Sequence, residues 1–498
     1  MKSSTRNLVI VAAIVVVLGG AVAALALTGG QGTQTSSSET SSANTINLVS
    51  KKTDDIVSMQ VTNKKGSYTI VPKTSGVTTS TASTASSSSE AEYTVKELTG
   101  VPVDSSVVSN VVKMGYSLAA SKNIGTVSDL SIYGLDSPQA TVKINFKDNT
   151  TYNYKIGNVS PTDSTSYYMC AENSKNVYIV SIDSSMLENK YTFVQKTILS
   201  IAPDTSTSSD STSSGTASND FTKLDFSGTN FPKSVSISKD ATSTYVITAP
   251  SKFDVETTPL TSITSALENL SASDVAEINP DAATLKKYGL DKPSAIISFT
   301  VNKKNYKLSA GNKKDSSRYV MLDGVNVIYL VTNDSVSSWA DTSLYKLRSK
   351  FVCLPMITDV AGMTVTAGSD VNTFNIARTK DEKNSTQDSP AYTYALTGNG
   401  GKKLTFDPNF KNFYQTIIGI CLVEESDKQP TGAPAITIEY KYYSGTKRTV
   451  QFYSAGDRRY TAVVDGVVSG LVKSSDVEAI TANVKKMQNN ELIPGSAS

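Results

Sequence analysis

The stretch YGLDSPQATVKINF, from Tyr133 to Phe146, indicates how this chain folds, because a near copy, YGLDKPSAIISFTV, begins at Tyr288. Glycine readily adopts the left-handed conformation that ends a helix, and a leucine after it can fold back onto the last helical turn. The proline that follows favours an extended backbone at the residue before it. The repeated motif therefore predicts a helix that stops and leads directly into a strand.

The residues after each proline alternate between apolar and polar, as in a strand with one buried face. The aspartates of the motif could bind calcium, but the Asp-x-Asp-x-Asp-Gly pattern of a calcium loop is missing. We expect them instead to accept hydrogen bonds from backbone amides of the turn. We assign an architectural role, and no catalytic, cofactor-binding or metal-binding role, to ten residues: Tyr133, Gly134, Leu135, Asp136, Pro138, Tyr288, Gly289, Leu290, Asp291 and Pro293.

The similarity extends beyond the motif and indicates a duplication. Residues 152–157 match residues 306–311, and both segments end in glycine. A third, weaker copy lacks YGLD but keeps an alternating strand at 433–438 and a second strand, ending in Ala-Gly, at 451–456. Loss of the motif from the third copy argues against a catalytic role that every module requires.

Apolar residues at three- and four-residue steps predict one main helix in each module. Two strands precede each helix, and in the second module we place them at 235–237 and 245–247. The sequence thus predicts an α+β fold of three related modules, each an antiparallel sheet with one packed amphipathic helix, after one N-terminal transmembrane helix. The apolar helix positions are Val108, Val111, Val112 and Leu118 in the first module, Ile263, Leu267 and Leu270 in the second, and Phe410, Phe413, Tyr414, Ile417, Ile418 and Cys421 in the third.

The chain begins with a candidate membrane anchor. Residues 8–27 form an uncharged apolar run that would be about 30 Å long as a helix, enough to cross a bilayer. Lys2 and Arg6 precede it, so the positive-inside rule places residues 1–7 in the cytoplasm and the remaining chain outside. A cleaved signal peptide is the alternative, because the sequence ALA at 24–26 resembles a cleavage site. We favour the retained anchor and predict a single-pass protein of the cell membrane, largely extracytoplasmic.

Three stretches rich in serine and threonine contain too few apolar residues to build a core, and such segments are typical of solvated tethers. They help to divide the part of the chain that follows the cytoplasmic tail and the anchor. The predicted parts are a linker at 28–45, a first module at 46–200 with an insertion at 74–90, a linker at 201–220, a second module at 221–350 and a divergent third module at 351–498.

Composition excludes several kinds of site. The chain has no histidine, which excludes Ser-His-Asp and Cys-His hydrolases. Its three cysteines are scattered, so neither a disulfide framework nor a thiolate zinc site is expected. The 47 basic and 45 acidic residues nearly balance, which argues against nucleic-acid binding. The glycine-rich segment 398–403 lacks the spacing of a phosphate-binding loop, and we predict a turn there.

The YGLD-x-Pro element, the alternating strand behind it, the turns at Gly157 and Gly311, and the strands at 318–319 and 327–329 resemble the bacterial family called domain of unknown function 4340. The resemblance covers residues 46–350 well and the remainder loosely. It implies an envelope-anchored protein with tandem copies. Some members are similar to, or encoded near, auxiliary subunits of gliding-type ABC transporters, which implies a role beside a membrane transport complex. The resemblance brings no catalytic residues.

The leading hypothesis is a non-enzymatic protein that binds or scaffolds a partner in the cell envelope, in an accessory role to a membrane transport complex. The alternative is a module that binds cell-wall glycan through tyrosine-bearing sheet faces, because the chain has 24 tyrosines. An extracytoplasmic hydrolase ranks third, because the S-x-x-K and K-T-G motifs of Ser-Lys enzymes are missing in the required order.

Overall fold

The computed structural model describes residues 45–73, 91–161, 163–203, 218–386, 390–456 and 458–495. The predicted tail at 1–7 and anchor at 8–27, nearly all of the first linker, the insertion at 74–90 and most of the second linker lie outside these residues. Within the described ranges, no helix has the length and apolar character needed to cross a membrane.

The first module is built on a nine-stranded antiparallel sheet with the order β1-β5-β9-β8-β7-β6-β2-β3-β4. One α-helix, α1 (Ser105–Tyr116), begins after Asp104, whose carboxylate accepts bonds from the amides of Ser106 and Val107. The strands are β1 (Ile46–Ser50), β2 (Ile56–Asn63), β3 (Gly66–Pro72), β4 (Tyr93–Val95), β5 (Ser117–Thr126), β6 (Ala140–Phe146), β7 (Thr151–Ser160), β8 (Asp163–Ala171) and β9 (Asn176–Ser181).

The second module has another nine-stranded sheet, in the order β14-β13-β12-β11-β17-β18-β19-β20-β16, and a two-stranded sheet, β10-β15, joins it to the first module. Its strands are β10 (Thr197–Ser200), β11 (Phe221–Ser227), β12 (Val235–Lys239), β13 (Tyr245–Ala249), β14 (Phe253–Asp254), β15 (Asn269–Ser271), β16 (Asp274–Ile278), β17 (Ala295–Val301), β18 (Lys304–Lys314), β19 (Ser317–Leu322) and β20 (Val327–Thr332). Its helices are α2 (Thr257–Glu268), α3 (Ala282–Lys287), α4 (Asn333–Ala340) and α5 (Leu344–Leu347).

The third module has an eight-stranded sheet in the order β24-β23-β22-β21-β25-β26-β27-β28. Its strands are β21 (Val360–Ala367), β22 (Asp370–Lys380), β23 (Tyr392–Thr397), β24 (Lys403–Leu404), β25 (Ile436–Tyr442), β26 (Lys447–Ser454), β27 (Arg459–Val464) and β28 (Val467–Lys473). Its α-helices are α6 (Lys411–Ile418), which continues a π-helical turn at Phe406–Phe410, and α7 (Ser474–Asn489).

The predicted α+β fold class is wrong, because the described residues are mostly β, with 45% in strands and 23% in helices, and their strands form four antiparallel sheets. The predicted helices were too long. Helices α1 and α2 end at Tyr116 and Glu268, and the next residues start β5 and β15. Leu118 and Leu270, which we placed on helices, are buried strand residues. The helical spacing continued past each helix because both elements bury residues in the same core.

Six strands occur in the same spatial order in all three modules: β3-β2-β6-β7-β8-β9, β12-β11-β17-β18-β19-β20 and β22-β21-β25-β26-β27-β28. In the second module, the strand equivalent to β2 is β11, so the opening pair that we predicted at 235–237 and 245–247 lies one strand too late. The sequence FTKLDFS of β11 alternates clearly but directly follows a polar linker, and the prediction overlooked it.

The apolar core is continuous across two modules. Most buried apolar side chains between residues 49 and 347 form one connected cluster, which includes the chain's single tryptophan, the fully buried Trp339. Two small clusters in the same range, around Leu135 and Leu290, are separate from it. The buried side chains of the third module form a separate cluster between residues 352 and 493. The first two modules therefore pack as one unit, whereas the third contacts them across a boundary near residue 350.

Candidate functional site

The YGLD motif ends a short helix as the sequence predicts. Gly134 has a φ of +67° and follows a 3-10 helix at Ser131–Tyr133. Its amide donates to the carbonyl of Ser131 at 2.9 Å, and the amide of Leu135 donates to the carbonyl of Leu130 at 3.1 Å. These two bonds are those of a Schellman motif, and Leu135 packs with Leu130 in one small apolar cluster. The predicted glycine cap is confirmed.

The second copy has the same geometry at the end of α3. Gly289 has a φ of +71°, and its amide donates to the carbonyl of Lys286 at 3.1 Å. The amide of Leu290 donates to the carbonyl of Leu285 at 2.8 Å, and the two leucines share an apolar cluster. The motif is thus a repeated structural element.

Each YGLD turn packs against an irregular point in the neighbouring strand. The register of β7 against β8 shifts between Ile156 and Val159, and that of β18 against β19 shifts between Ala310 and Lys313. Gly157 and Gly311 therefore lie within these irregularities. A Cβ atom added to Gly157 would lie 2.1 Å from the carbonyl oxygen of Tyr133, and one added to Gly311 would lie 2.3 Å from that of Tyr288. Only glycine allows the turn to lie this close to the strand.

The third module lacks both halves of this arrangement. Three equivalent amides, those of Gln139, Ser294 and Ala435, donate to the carbonyls of Ile156, Ala310 and Phe452. Phe452 therefore occupies the position of Ile156, and the next residue, Tyr453, occupies that of Gly157. The register of β26 against β27 is continuous there. The alignment of residues 451–456 with the glycine turn was wrong by three residues, and the glycine is absent where no YGLD turn packs.

The remaining motif residues differ in exposure. The Tyr133 ring packs edge-on against Tyr168, with ring centroids 4.9 Å apart, and Tyr288 packs against Tyr319 at 4.4 Å. Pro138 and Pro293 are half-buried before β6 and β17. Asp136 and Asp291 are exposed, and neither carboxylate makes a hydrogen bond or ion pair with a described residue. The expected bonds to turn amides are therefore not formed, and these aspartates do not converge on a site.

Replacing Gly134 with valine should destabilise the first module by about 2 kcal/mol, because a β-branched residue strongly disfavours positive φ. Its Cβ would also lie 2.4 Å from Oδ1 of Asn158. Urea unfolding of the full-length protein would measure the loss. Adding Asn158→Ala to this variant should recover only the stability lost to the clash with Asn158, because the cost of the positive φ remains. An unchanged midpoint for Gly134→Val would contradict the capping role.

A large concave surface lies between the second and third modules. It is a cavity of 750 Å³, and its lining is partly apolar and partly charged. The second module contributes the strand ends near β12 and β14 and the segment around α5, and the third contributes residues 425–427 and the start of β28. The lining residues are Asn230, Phe231, Pro232, Lys233, Val235, Pro250, Ser251, Phe253, Ser343, Leu344, Tyr345, Arg348, Glu425, Ser426, Asp427, Val468 and Ser469.

Arg348 lies at the inner end of this cleft and joins the two modules. Its side chain is 5% exposed, and its guanidinium lies 3.9 Å above the centre of the Phe253 ring. Nη1 donates to the backbone carbonyl of Ser469 at 2.6 Å, whereas Nε has no hydrogen-bond partner. Among the described residues, no carboxylate lies within ion-pair distance of Arg348. Burial lowers the pKa of Arg348 to about 10, although the negative charge of Glu425 opposes this effect.

Behind Arg348 is a smaller cavity of 140 Å³. Lys252, Arg348 and Arg448 line it together with Asp254 and Asp465, so its charged lining has one excess positive charge. Asp465 is already engaged, because its Oδ2 lies 3.3 Å from Nε of Arg448 and its Oδ1 accepts the amide of Thr449. Lys252 makes no ion pair with a described residue.

This arrangement is suited to binding. No group of three or more acidic or cysteine side chains in the described ranges could hold a metal ion. The cleft could not be predicted from the sequence, because its residues come from five segments far apart in the chain and none carries a recognisable motif. The glycine-rich segment lies elsewhere and forms the turn between the antiparallel strands β23 and β24, as predicted.

Comparison with known families gives one match. The model of the family described as Domain of unknown function (DUF4340) matches residues 93–243 and 246–411, which together span more than half of the chain. The first match starts at β4 and the second starts within β13, and each extends into the opening strands of the next module. No curated protein and no solved structure matches the chain.

Proposed function

This chain belongs to the domain of unknown function 4340 family, and from that premise we propose that it is a non-enzymatic protein that binds or scaffolds a partner in the cell envelope. Its partner contacts the cleft between the second and third modules. The protein is held at the membrane by the apolar run at 8–27 and acts outside the cytoplasm, in an accessory role to an ABC-type transport complex.

The observation that carries this proposal is the cleft of 750 Å³. Clefts with mostly apolar walls and a few oriented polar groups are typical of binding sites. Phe231, Phe253 and Tyr345 supply aromatic walls, and Lys233 and Asp427 supply charge at the rim, where they pair at 3.3 Å. The chain has no histidine, which leaves the cleft without the usual general base near neutral pH.

Crosslinking in intact cells would test the proposal. A photoreactive amino acid is placed at Lys233, whose side chain is 66% exposed at the rim, and partners recovered under denaturing conditions are identified by mass spectrometry. Lys485 on α7 is a matched control, because its side chain is 65% exposed and also pairs with an aspartate, but it does not line the cleft. We expect permease subunits from position 233 alone.

Equal recovery from both positions would contradict a partner site in the cleft. A specific catalytic turnover by the full-length protein, abolished by one point substitution, would contradict the non-enzymatic assignment.

Binding to cell-wall glycan is the second candidate, favoured by an aromatic group at one end of the third sheet. The guanidinium of Arg378 lies between two half-buried rings, 4.5 Å from the centre of Tyr392 and 3.9 Å from that of Tyr443. Aromatic faces of this kind can stack on sugars. Sedimentation with purified cell wall would separate the candidates, because a protein whose partner is a transport complex is not expected to be retained.

A further inference from the structure

We propose that the small cavity beside Arg348 binds the carboxylate group of the molecule that occupies the cleft. This inference rests on the proposed binding function and names the chemical group that the cleft recognises. Arg348 lines both the 750 Å³ cleft and the 140 Å³ cavity, so a ligand that fills the cleft can present its anionic group to the cavity.

The first argument is the state of Arg348. A buried guanidinium without a contacting carboxylate is costly, because the protein replaces little of the hydration that the charge loses. Arg348 is 5% exposed, and the only hydrogen bond of its guanidinium to a described residue goes to the carbonyl of Ser469. Its ring contact with Phe253 fixes the plane of the guanidinium, and its Nε remains without a partner beside the cavity. An oxygen ligand would satisfy this donor.

The second argument is the charge around the cavity. Lys252, Arg348 and Arg448 outnumber Asp254 and Asp465 by one, so a single negative charge balances the lining. Glu425 lies in the larger cleft, is exposed and forms no ion pair with Arg348. A carboxylate carries one charge and is planar, as a guanidinium requires for paired hydrogen bonds. A phosphate, with nearly two charges at neutral pH, would leave an excess negative charge.

The volume of the small cavity also fits a carboxylate group. One water molecule needs about 10–15 Å³ of cavity volume, so 140 Å³ is about ten times that requirement and can admit a carboxylate group. It cannot admit a whole peptide or oligosaccharide. The rest of the ligand would therefore lie in the cleft, on the other side of Arg348.

The test measures binding of small acids to the purified full-length protein by the shift in its melting temperature. Sodium acetate, sodium chloride and sodium phosphate are compared at equal ionic strength and pH 7. A ligand that binds only the folded state raises the melting temperature, and the shift grows with the ratio of the free ligand concentration to the dissociation constant. Phosphate also raises melting temperatures without binding, because it is excluded from protein surfaces, so the specific effect of each salt is the difference between the native protein and the cavity variant described below. We expect this difference to be larger for acetate than for chloride or phosphate, and an equal or smaller difference for acetate would overturn the proposal.

Arg348→Gln should weaken acetate binding at least tenfold. Arg459→Gln is the matched control, because Arg459 also donates through Nη1 to a backbone carbonyl, that of Arg458, and its Nε has no hydrogen-bond partner among the described residues, yet it does not line the cavity. If Arg348→Gln does not fold, Lys252→Ala serves instead, because Lys252 is exposed and its loss should weaken acetate binding without changing the melting temperature in chloride. Unchanged acetate binding in the variant that folds would overturn the proposal.

Two further pairs of probes identify the source of the carboxylate. N-acetylalanine is compared with its amide, and glucuronate with glucose. Preference for the acid in the first pair indicates a peptide, and preference in the second indicates a sugar acid. No preference for the acid in either pair contradicts the proposal. If position 233 gives no specific crosslinks but acetate still binds, only the proposed function is contradicted. If the crosslinks form but acetate does not bind, only this inference is contradicted.

Discussion

Gly311→Ala is expected to destabilise the second module by about 3 kcal/mol, at the upper end of the cost of overpacking a well-packed site. The new Cβ would lie 2.3 Å from the carbonyl oxygen of Tyr288 and 3.0 Å from Cγ of Leu290. The first of these atoms belongs to the backbone of the YGLD turn, which is fixed by the two Schellman hydrogen bonds. The turn must therefore move away from β18, and the packing of Leu290 is lost with it.

Gly362→Ala provides the control. Gly362 is also a strand glycine near a backbone carbonyl, but its added Cβ would lie 3.1 Å from the oxygen of Phe374. A shift of a few tenths of an ångström removes that contact, so we expect a loss of less than about 1 kcal/mol. The measurement is the urea midpoint of the unfolding transition of the module that carries each substitution, the second module for Gly311 and the third for Gly362. Equal losses for the two variants would show that the close approach of the YGLD turn is not required.

The helix stop could be predicted from sequence because its interactions are local. Both hydrogen bonds of the cap at Gly134 span at most five residues, and the leucine that closes it is the next residue in the chain. Only glycine accommodates the positive φ at low cost, so residue identity and geometry are closely linked. The alternating strand after Pro138 was predictable for the same reason, because a half-buried strand repeats every two residues.

The glycine in the neighbouring strand, against which the YGLD turn packs, is not required by local interactions. Gly157 is required by a contact with Tyr133, 24 positions earlier in the chain, and the reason for a glycine in a strand emerges only when the turn packs there. A sequence signal was available, because Gly-Asn occurs within the equivalent strand in both modules, at 157–158 and 311–312. In the third module the nearest glycine, Gly456, gave the wrong register, because strand pairing places Tyr453 at that position.

The fold class was harder to predict, because over short segments burial alone does not distinguish the 3.6-residue period of a helix from the two-residue period of a strand. Leu118 and Leu270 each extend a helical apolar pattern by one position, although they lie in strands. The cleft was not predictable, because Arg348 belongs to no motif and its partner carbonyl, that of Ser469, lies 121 residues further along the chain.

Raising the pH from 8 to 11 is expected to remove about 7 kcal/mol of stability through five buried tyrosines. Tyr68, Tyr154, Tyr329, Tyr414 and Tyr440 are each at most 2% exposed, and burial raises the pKa of every one, to about 12 for Tyr329. An unfolded tyrosine ionises near pH 10. A raised pKa in the folded state means that stability is complete below pH 10 and is lost as the pH rises through the folded pKa values.

Each of these tyrosines contributes about 1.4 kcal/mol of this loss at pH 11, because the unfolded state then releases a proton that the folded state retains. The total is comparable with the whole stability of a typical domain. Below this range the profile should be flat between about pH 6 and 8, because the chain has no histidine to titrate there.

Urea unfolding at pH 7, 8, 10 and 11, with tyrosinate absorbance recorded in the folded protein, tests this expectation. Tyr329→Phe removes one of the five hydroxyl groups, so its loss of stability between pH 8 and 11 should be smaller by about 1.4 kcal/mol. Because only the losses between pH 8 and 11 are compared, the result does not depend on how much the substitution changes stability at neutral pH. If all 24 tyrosines ionise near pH 10 in a protein that stays folded, burial does not hold these hydroxyl groups protonated and the expected alkaline loss is absent.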